Sequence, residues 1–354
     1  MTTIVSFMLT RKQVKEIRDA LNNSANPLFF FDNDPDGLCS FILLQKYIQR
    51  GKGFPIKSLQ DFNDIGLRKI SEFSPDCLFI LDKPVVPVDF FRKTEEMNLP
   101  VIWIDHHQIS KNEIPNFIKY YNPLFNRKKS NEPTTALCAQ INDNKNFAWL
   151  AVAGCISDKF FPKFYRDFRK KYPDLAVDSK DAFDIYYNSE IGRITRIFSF
   201  ALKDRTTNVI NMMKFLSKAN SPYEILEDTS ANHTMHERFE QINSRYQKLL
   251  EKALKNLKSS EKILFFRYGG DMAVSADLSN ELSYKFPEKI IIVVYISEPR
   301  ASISVRGKKI LQRVVESLKG LDNATGGGHE DAAGVQMKAD DVEKFMEKFR
   351  ELTE

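Results

Sequence analysis

Cysteine is scarce in this sequence, with four residues among 354. Cys39, Cys77, Cys138 and Cys155 form no Cys-x-x-Cys pair, and three of them lie in apolar stretches. A disulfide framework or a structural zinc site needs paired, closely spaced thiols. The pattern therefore excludes both, and it predicts reduced cysteines in the interior of an intracellular protein.

Long hydrophobic runs and a strong charge excess are also missing. No apolar run approaches the roughly 18 residues of a membrane-spanning helix, and the N-terminus lacks a signal-peptide pattern. We therefore expect a cytoplasmic protein that has no membrane partner. The formal net charge is only +5, which permits a polyanionic partner without demanding one.

The sequence has 354 residues, a length that suits two domains. Its residues are 42% hydrophobic and 28% charged, a composition typical of a soluble globular protein. Apolar runs alternate with helical patterns in the N-terminal part, which predicts a mostly parallel sheet flanked by helices. We predict helices at 11–23, 38–48, 65–73, 88–97 and 134–141, strands at 28–31, 54–59, 77–81 and 100–104, and a loop at 122–133.

Acidic residues follow the first of these strands directly. Asp32, Asp34 and Asp36 come after the run 28–31, and Gly37 lets the backbone turn into the next helix. Like charges this close need a cation among them, and divalent cations with oxygen ligands suit them. For this stretch alone, the alternative is a solvated turn between strand and helix.

Three further apolar runs end in acidic residues. Asp82 follows the strand 77–81, Asp105 with His106 and His107 follows the strand 100–104, and Asp158 follows the run 149–157, which we also interpret as a strand. Open α/β sheets place their sites at the carboxyl ends of strands. Carboxylates beside adjacent imidazoles suit Mn²⁺, Zn²⁺ or iron. Each acidic residue alone can be a cap, but their repetition predicts a metal site.

The segment 159–172 alternates cations with aromatics and includes Lys163, Arg166 and Arg169. One interpretation is a set of stacking and phosphate-binding side chains for single-stranded nucleic acid. The other is an amphipathic helix whose aromatics belong to the core, and the residues leave both open. Beyond it we predict helices over 190–225 and from Thr234 to near Glu261, the latter packed on its own domain or, as the alternative, in a coiled-coil dimer.

Near residue 260 the pattern changes to that of a smaller α/β unit, with strands at 262–267, 289–296 and 301–306 and helices at 278–286, 309–318 and 340–352. The glycine run 326–328 can let backbone N–H groups approach a phosphate, and His329 can donate a hydrogen bond. Arg306 ends an alternating strand and can bind a phosphate in bidentate fashion. A tight glycine turn without a ligand is the alternative.

In order along the chain, these motifs resemble a known family. Four of them resemble the four motifs of the DHH phosphoesterase superfamily: Asp34-Pro-Asp36-Gly37, Asp82, Asp105-His106-His107, and Gly154 with Asp158. A further stretch resembles the signature of the DHHA1 domain of that superfamily: Gly326-Gly-Gly-His-Glu-Asp-Ala-Ala-Gly334. The chain looks most like the archaeal RecJ-like proteins, kin of bacterial RecJ exonuclease and of a eukaryotic replisome subunit. The resemblance implies a DHH domain at 1–190, a helical insert and linker helix at 191–259, a DHHA1 domain at 260–354, and an active site in the cleft between the two domains.

The resemblance also implies roles for individual residues around two Mn²⁺ ions, for which Mg²⁺ can substitute. It gives as metal ligands Asp34, Asp36, Asp82, His106 and Asp158, with Asp82 in the bridging position. Asp32 stands where the family often has histidine, and its carboxylate can still ligate. Catalytic roles fall to Asp82, to His107 at the metal or the scissile phosphate, and to Asp105, which orients the imidazoles. The nucleic-acid end or backbone would contact Arg306, Gly327, Gly328 and His329.

The implied activity is that of a metal-dependent exonuclease on single-stranded DNA, or RNA, which releases mononucleotides in DNA repair or replication. Two other functions stay open. One is a phosphodiesterase for oligoribonucleotides or cyclic dinucleotides, and the other is a non-catalytic replisome scaffold that binds GINS-like proteins or a helicase. Asn33 and Lys83 are unusual neighbours of the motif residues, and Lys83 can either repel a second cation or pair with phosphate.

Overall fold

The computed structural model describes residues 8–255 and 261–353. The chain divides into two compact units, with the boundary between Phe239 and Glu240. The boundary lies inside the helix His233–Lys255, and the predicted end of that helix near residues 258–261 falls partly outside the described residues. Each unit is described by itself below.

The first unit alternates strands and helices over its N-terminal half and is helical thereafter. Its strands are β1 (Pro27–Asp32), β2 (Lys52–Ile56), β3 (Cys77–Leu81), β4 (Val101–Ile104) and β5 (Lys119–Tyr121). Its helices are α1 (Arg11–Asn23), α2 (Pro35–Ile48), α3 (Leu59–Asp61), α4 (Leu67–Phe73), α5 (Val88–Glu96), α6 (Thr134–Asn142), α7 (Ala148–Ser157), α8 (Tyr165–Lys171), α9 (Ala182–Asn188), α10 (Glu190–Ala201), α11 (Thr206–Lys218) and α12 (Tyr223–Leu226), and α13 (His233–Lys255) continues into the second unit.

The strands of the first unit form one parallel sheet in the order β2-β1-β3-β4-β5. β1 lies inside the sheet, between β2 and β3, and is apolar on both faces, as parallel strands covered by helices are. Aromatic side chains fill the core, where Phe30, Phe62 and Phe90 pack on one another and Phe29 stacks on Phe79. The parallel sheet flanked by helices confirms the predicted α/β class. Because the strands are parallel, the carboxyl ends of β1, β3 and β4 lie at the same edge of the sheet.

Local signals shift several element boundaries from the predicted positions. α2 begins at Pro35 rather than at 38, because Asp34 caps it and Pro35 occupies its first position. A capping box between Ser58 and Asp61 starts α3 where the prediction extends the strand, and a π-helical turn (Phe62–Gly66) joins α3 to α4. β5 has only three residues and is absent from the predicted strands.

The run 149–157 is helix α7, so its interpretation as a strand is wrong. Its residues from Trp149 to Ile156 are buried on every face, which removes the periodicity that separates a helix from a strand. α7 packs on α2 and α6, and Gly154 allows this close approach because a Cβ there would lie 2.2 Å from Thr135 Oγ1. The fourth acidic motif therefore follows a helix.

The second unit is a smaller α/β unit, as predicted. Its elements after α13 are β6 (Ile263–Gly269), α14 (Ser275–Lys285), β7 (Ile290–Ser297), β8 (Arg300–Arg306), α15 (Leu311–Ser317), β9 (Thr325–His329), β10 (Ala332–Lys338) and α16 (Val342–Glu351). Its sheet has the order β6-β7-β8-β10-β9, parallel between β6 and β7 and antiparallel elsewhere. The glycine run lies in the edge strand β9 and not in a tight turn.

The four cysteines are free and buried, which confirms the interpretation of them as interior thiols. Among the helices of residues 8–255 and 261–353, none is both long and apolar enough to cross a membrane.

Candidate metal centre

The first motif forms the junction between β1 and α2. Asp34 is the N-cap of α2, and its Oδ1 accepts a hydrogen bond from the N–H of Gly37 at 2.9 Å. Gly37 lies so close to the backbone of Asp32 that a Cβ would come within 2.4 Å of the Asp32 carbonyl oxygen. Only glycine fits this contact, which holds Asp32, Asp34 and Asp36 together at the end of β1.

Asp36 is buried and is held by the start of α6. The N–H of Thr134 donates to its Oδ2 at 3.0 Å and the N–H of Thr135 to its Oδ1 at 2.7 Å. A helix N-terminus favours negative charge, so α6 stabilises this carboxylate in its ionised form. Neither threonine is singled out by the sequence, because two threonines at a helix start mark nothing specific.

Asp82 follows β3 in a left-handed backbone conformation with φ 60°. Few residues other than glycine adopt this conformation, and aspartate is one of those that do so most readily. The Asp82 side chain is buried, and the Thr134 hydroxyl donates to its Oδ1 at 3.1 Å. The same threonine therefore contacts two of the carboxylates from separate motifs.

His106 brings the motifs together. Its Nε2 lies 3.2 Å from Asp158 Oδ2, 3.4 Å from Asp82 Oδ1 and 3.9 Å from Asp36 Oδ2. These residues come from the ends of α7 and β3, from the start of α2 and from the turn after β4. Three of the predicted ligands, distant in sequence, therefore converge on a ring nitrogen of a fourth.

Asp105, which is predicted to orient the imidazoles, contacts His107 through both of its carboxylate oxygens. Asp105 Oδ1 lies 2.7 Å from His107 Nδ1, and its Oδ2 accepts hydrogen bonds from the His107 N–H at 3.2 Å and the Tyr120 hydroxyl at 2.9 Å. Asn122 donates to the His107 carbonyl oxygen and to the Tyr120 hydroxyl oxygen, both at 2.8 Å. Tyr120 and Asn122 are not predicted, because nothing in one sequence marks residues 15 positions away as partners.

Asp32 has a different environment from the other carboxylates. The ammonium of Lys83 lies 2.9 Å from Asp32 Oδ1 and 3.3 Å from the Ile56 carbonyl oxygen, and the Lys83 side chain is only 8% exposed. The Asn33 N–H also donates to Asp32 Oδ1, at 2.8 Å. Asp32, predicted as a metal ligand, is thus already ion-paired.

Burial and mutual repulsion change the proton affinities of the centre. Burial, with the nearby charge of Asp158, raises the pKa of Asp36 to about 6, and burial with repulsion by neighbouring carboxylates raises the pKa of Asp34 and of Asp82 well above the ordinary value. Burial lowers the pKa of His106, but its interactions with Asp158 and Asp82 outweigh burial and raise that pKa to about 12. The centre therefore attracts positive charge strongly.

The donor set fits divalent cations. Among the described residues, three groups each place ligand atoms within 4.8 Å of one another: Asp82 with His106 and His107, Asp36 with His106 and Asp158, and Asp32 with Asp34 and Asp82. Both ring nitrogens of His106 are buried without an aligned hydrogen-bond partner, which is rare unless a ligand completes the site. Mixed carboxylate and imidazole donors are those of Mn²⁺ and similar ions.

In the segment after Asp158, the structure favours the amphipathic-helix interpretation for three of the aromatics. Tyr165, Phe168 and Tyr172 are buried, so they cannot stack on bases. The predicted cations lie on the other face, where Lys163 and Arg166 are exposed and Arg169 pairs with Asp178. Contacts of these cations with nucleic acid remain a prediction.

In the second unit, Arg306 and the glycine run lie on neighbouring parts of one sheet. Arg306 ends β8, and its Nε donates to Asn280 Oδ1 at 2.7 Å while its Nη1 donates to the Val305 carbonyl oxygen at 2.9 Å. β9, with Gly327, Gly328 and His329, is exposed along its length. A Cβ at Gly327 would meet nothing within 4 Å, so a ligand backbone has room there.

Comparisons with known proteins agree with this architecture. Residues 260–354 match the DHHA1 domain family. No curated protein sequence matches the chain.

Solved structures with the same fold share little sequence with this chain. The RecJ of Thermus thermophilus, solved with Mn²⁺, superposes with a TM-score of 0.69 at 16% identity over 98% of this chain and 55% of that one. An exonuclease RecJ bound to manganese gives 0.63 at 15% identity over 98% and 95%, and Cdc45 of Entamoeba histolytica gives 0.55 at 10% over 96% and 98%. The chain thus spans about half the length of the Thermus RecJ. Over nearly its whole length the chain has the same fold as these RecJ and Cdc45 structures, and residues 260–354 match the DHHA1 domain family.

Proposed function

We propose that this protein is a divalent-cation-dependent phosphodiesterase that degrades single-stranded DNA, or RNA, from an end and releases mononucleotides in DNA repair or replication. The observation that carries the proposal is the convergence of Asp36, Asp82 and Asp158 on His106 Nε2 within 3.9 Å. The manganese-bound RecJ structures that share the fold support the choice of Mn²⁺, with Mg²⁺ as a substitute.

Each residue of the centre has a task in this proposal. Bound divalent cations would activate a water and offset negative charge on the phosphate. Asp36, Asp82, Asp158 and His106 would hold the cations, and Asp82 belongs to two of the ligand groups. The α6 N-terminus fixes Asp36 in its ligating orientation.

The imidazole of His107 acts next to the cations. Its Nδ1 contacts Asp105, and the proposal assigns its Nε2 to a cation or to an oxygen of the scissile phosphate. Tyr120 and Asn122 hold this arrangement through their hydrogen bonds to Asp105 and to the His107 carbonyl oxygen. Such supporting contacts typically change metal affinity or activity by about 10- to 100-fold when removed.

Substrate contacts beyond the centre are assigned to two surfaces. In the DHHA1 domain, the exposed glycine strand with Gly327, Gly328 and His329, and Arg306 at the end of β8, would bind the nucleic-acid end or backbone. In the first unit, Lys163, Arg166 and Arg169 would contact phosphates. Phosphate contacts of this kind give affinity without sequence preference.

The test is a degradation assay on end-labelled single-stranded DNA, the matching RNA and a cyclic dinucleotide, each with Mn²⁺ and with chelator. We expect Mn²⁺-dependent release of mononucleotides from the polymers. Asp36→Asn and His106→Ala should abolish it, whereas Asp19→Asn, which removes an exposed carboxylate of α1, should not. Full activity of Asp36→Asn would remove the site assignment, and hydrolysis of the cyclic dinucleotide alone would replace the polymer by a small substrate.

The ion pair of buried Lys83 with half-buried Asp32 favours a second candidate function. An ammonium beside the carboxylates disfavours the binding of a second cation. The same fold also occurs in Cdc45. In this alternative the chain is a replisome scaffold that binds a GINS-like protein or a helicase without cutting DNA. Co-elution of the purified chain with such a partner, together with no degradation under any cation, would support it.

A further inference from the structure

Lys83 lies at the carboxyl edge of the sheet, beside the acidic cluster. Its ammonium contacts Asp32 Oδ1 at 2.9 Å and its side chain is 8% exposed. It follows Asp82, whose left-handed backbone conformation makes the turn. Burial of an ammonium costs free energy unless the ammonium is paired, and Asp32 provides that pairing here.

The position of Lys83 is fixed by its backbone as well. The indole N–H of Trp103 donates to the Lys83 carbonyl oxygen at 3.0 Å, and the Lys83 ammonium donates to the Ile56 carbonyl oxygen at 3.3 Å. These contacts tie the residue to the ends of β4 and β2. Lys83 is therefore held both at its backbone and at its ammonium.

The charge makes the two sides of the metal centre unequal. On one side, Asp36 and Asp158 bring ligand atoms together with His106, and within the described residues neither carboxylate forms an ion pair with a lysine. On the other side, Asp32, Asp34 and Asp82 form a group, but Asp32 Oδ1 already accepts from the ammonium and from the Asn33 N–H. A divalent cation on this second side lies beside the ammonium that is bonded to Asp32, a like charge that repels it.

We propose that Lys83 is a fixed cation of the metal centre, which neutralises Asp32, withdraws it from ligation and makes the second divalent-cation position the weaker one. The inference rests on the metal centre of the proposed function and deepens it. The first position then fills at low cation concentration, whereas the second fills only at higher concentration or when a phosphate of the substrate adds negative charge.

The test is a titration of the cation-free protein with Mn²⁺, in which calorimetry and the electron paramagnetic resonance of Mn²⁺ measure the bound cation. For the wild type we expect two affinities that differ by about tenfold or more. Lys83→Met keeps the apolar stem and removes the charge, so the weaker affinity should rise by about tenfold. Lys83→Arg should resemble the wild type.

A double variant shows whether Asp32 is responsible. In Asp32→Asn/Lys83→Met the freed carboxylate is gone, so the weaker affinity should return to within about threefold of the wild type. Lys46→Met is the matched control, because Lys46 is also a buried ammonium bonded to carbonyl oxygens, those of Ser217 and Ala219. It should leave both affinities unchanged.

The outcomes separate this inference from the proposed function. If Lys83→Met binds the second ion no more tightly than the wild type, or if the double variant keeps the gain, the inference is wrong while the centre stands. If the folded wild type binds no Mn²⁺, the metal centre itself fails and the inference falls with it. Lys83→Gln gives the same comparison if the methionine variant does not fold.

Discussion

At the scale of single residues, the metal centre concentrates negative charge in the interior of the first unit. Burial raises the pKa of Asp36 to about 6 and that of Asp82 well above its ordinary range. Burial alone would lower the pKa of His106, but the neighbouring carboxylates raise it to about 12. In each case the folded protein binds protons more tightly than the unfolded chain does. Protons and divalent cations therefore compete for the same place.

This competition predicts the pH dependence of stability in the absence of cations. Because the folded state binds the extra protons, its stability is greatest at low pH and is lost as the pH rises through the raised pKa values. In chelator, we expect the free energy of unfolding to fall by about 1 kcal/mol or more per pH unit between about pH 5 and about pH 8. Urea denaturation at several pH values measures this.

Two controls accompany that measurement. Saturating Mn²⁺ should flatten the decline, since bound cations replace the protons. Asp82→Asn should reduce the decline and stabilise the cation-free protein by about 1 kcal/mol, as removal of active-site strain commonly does. Stability that rises with pH in chelator would contradict the charge arrangement described above.

The acidic residues of the centre could be predicted from sequence because each follows an apolar run. The residues that support them could not. Thr134, Thr135 and Tyr120 contact Asp36 and Asp105 only because α6 and β5 lie beside the strand ends, and no local pattern encodes that proximity. Lys83 stands out in the sequence as an unusual neighbour, but its pairing with Asp32, 51 positions away, exists only in the folded chain.

At the scale of elements, strands β1, β3 and β4 were predictable because they are short, wholly apolar and followed by acidic turns. α7 has the same composition and its predicted strand is wrong, since a helix buried on all sides shows no periodicity. β5 and β9 are missing from the predicted strands because each lacks the usual strand pattern. β5 has only three residues, and β9 is rich in glycine, which is uncommon in strands.

The contact between α6 and α7 couples packing to the metal centre. Gly154→Ala places a Cβ 2.2 Å from Thr135 Oγ1, and Thr135 holds Asp36. We expect the substitution to lower the free energy of unfolding by about 1–3 kcal/mol and to weaken Mn²⁺ binding as well. Denaturation and Mn²⁺ titration measure the two effects.

Gly334→Ala is the matched control for this prediction. A Cβ at Gly334 meets nothing within 4 Å, so the stability should change by no more than about 0.5 kcal/mol. Unchanged Mn²⁺ affinity in a destabilised Gly154→Ala variant would show that α7 can shift without moving Thr135.

Helix α8 and the residues just before it give a prediction about nucleic-acid binding. The exposed cations there face away from the buried aromatics, so substitution of Lys163, Arg166 and Lys170 by alanine removes charge without disturbing the core. We expect weaker binding of single-stranded DNA and a salt dependence that is shallower by about two to three units of slope. Fluorescence anisotropy at several salt concentrations measures both, with Arg11→Ala/Lys12→Ala on α1 as the control. Equal slopes would leave α8 as a solvated helix face.

At the scale of the whole molecule, the boundary between the two units raises a question about folding. The compact second unit begins at Glu240, whereas the DHHA1 match begins at residue 260. Within the second unit, the Tyr246 hydroxyl donates to Glu281 Oε2 at 2.6 Å and Arg245 pairs with Asp271 at 2.8 Å. The C-terminal part of α13 is thus integrated into this unit.

We therefore expect a fragment of residues 240–354 to unfold cooperatively and to be more stable than residues 260–354. The difference should be about 3 kcal/mol, the usual effect of losing a large buried side chain. Chemical denaturation of the two fragments measures it. Tyr246→Ala in the longer fragment should reproduce most of the loss, and equal stability of both fragments would assign α13 to the first unit alone.

The edge strand β9 has a consequence for the behaviour of the protein in concentrated solution. β9 pairs with β10 on one side, and within the described residues it has no strand neighbour on the other. An open edge of this kind is a template for aggregation between molecules. A strand from a second molecule that paired with this edge would find no side chains to pack against at Gly326, Gly327 and Gly328. The residues that leave space for a ligand therefore also make self-association through this edge weak.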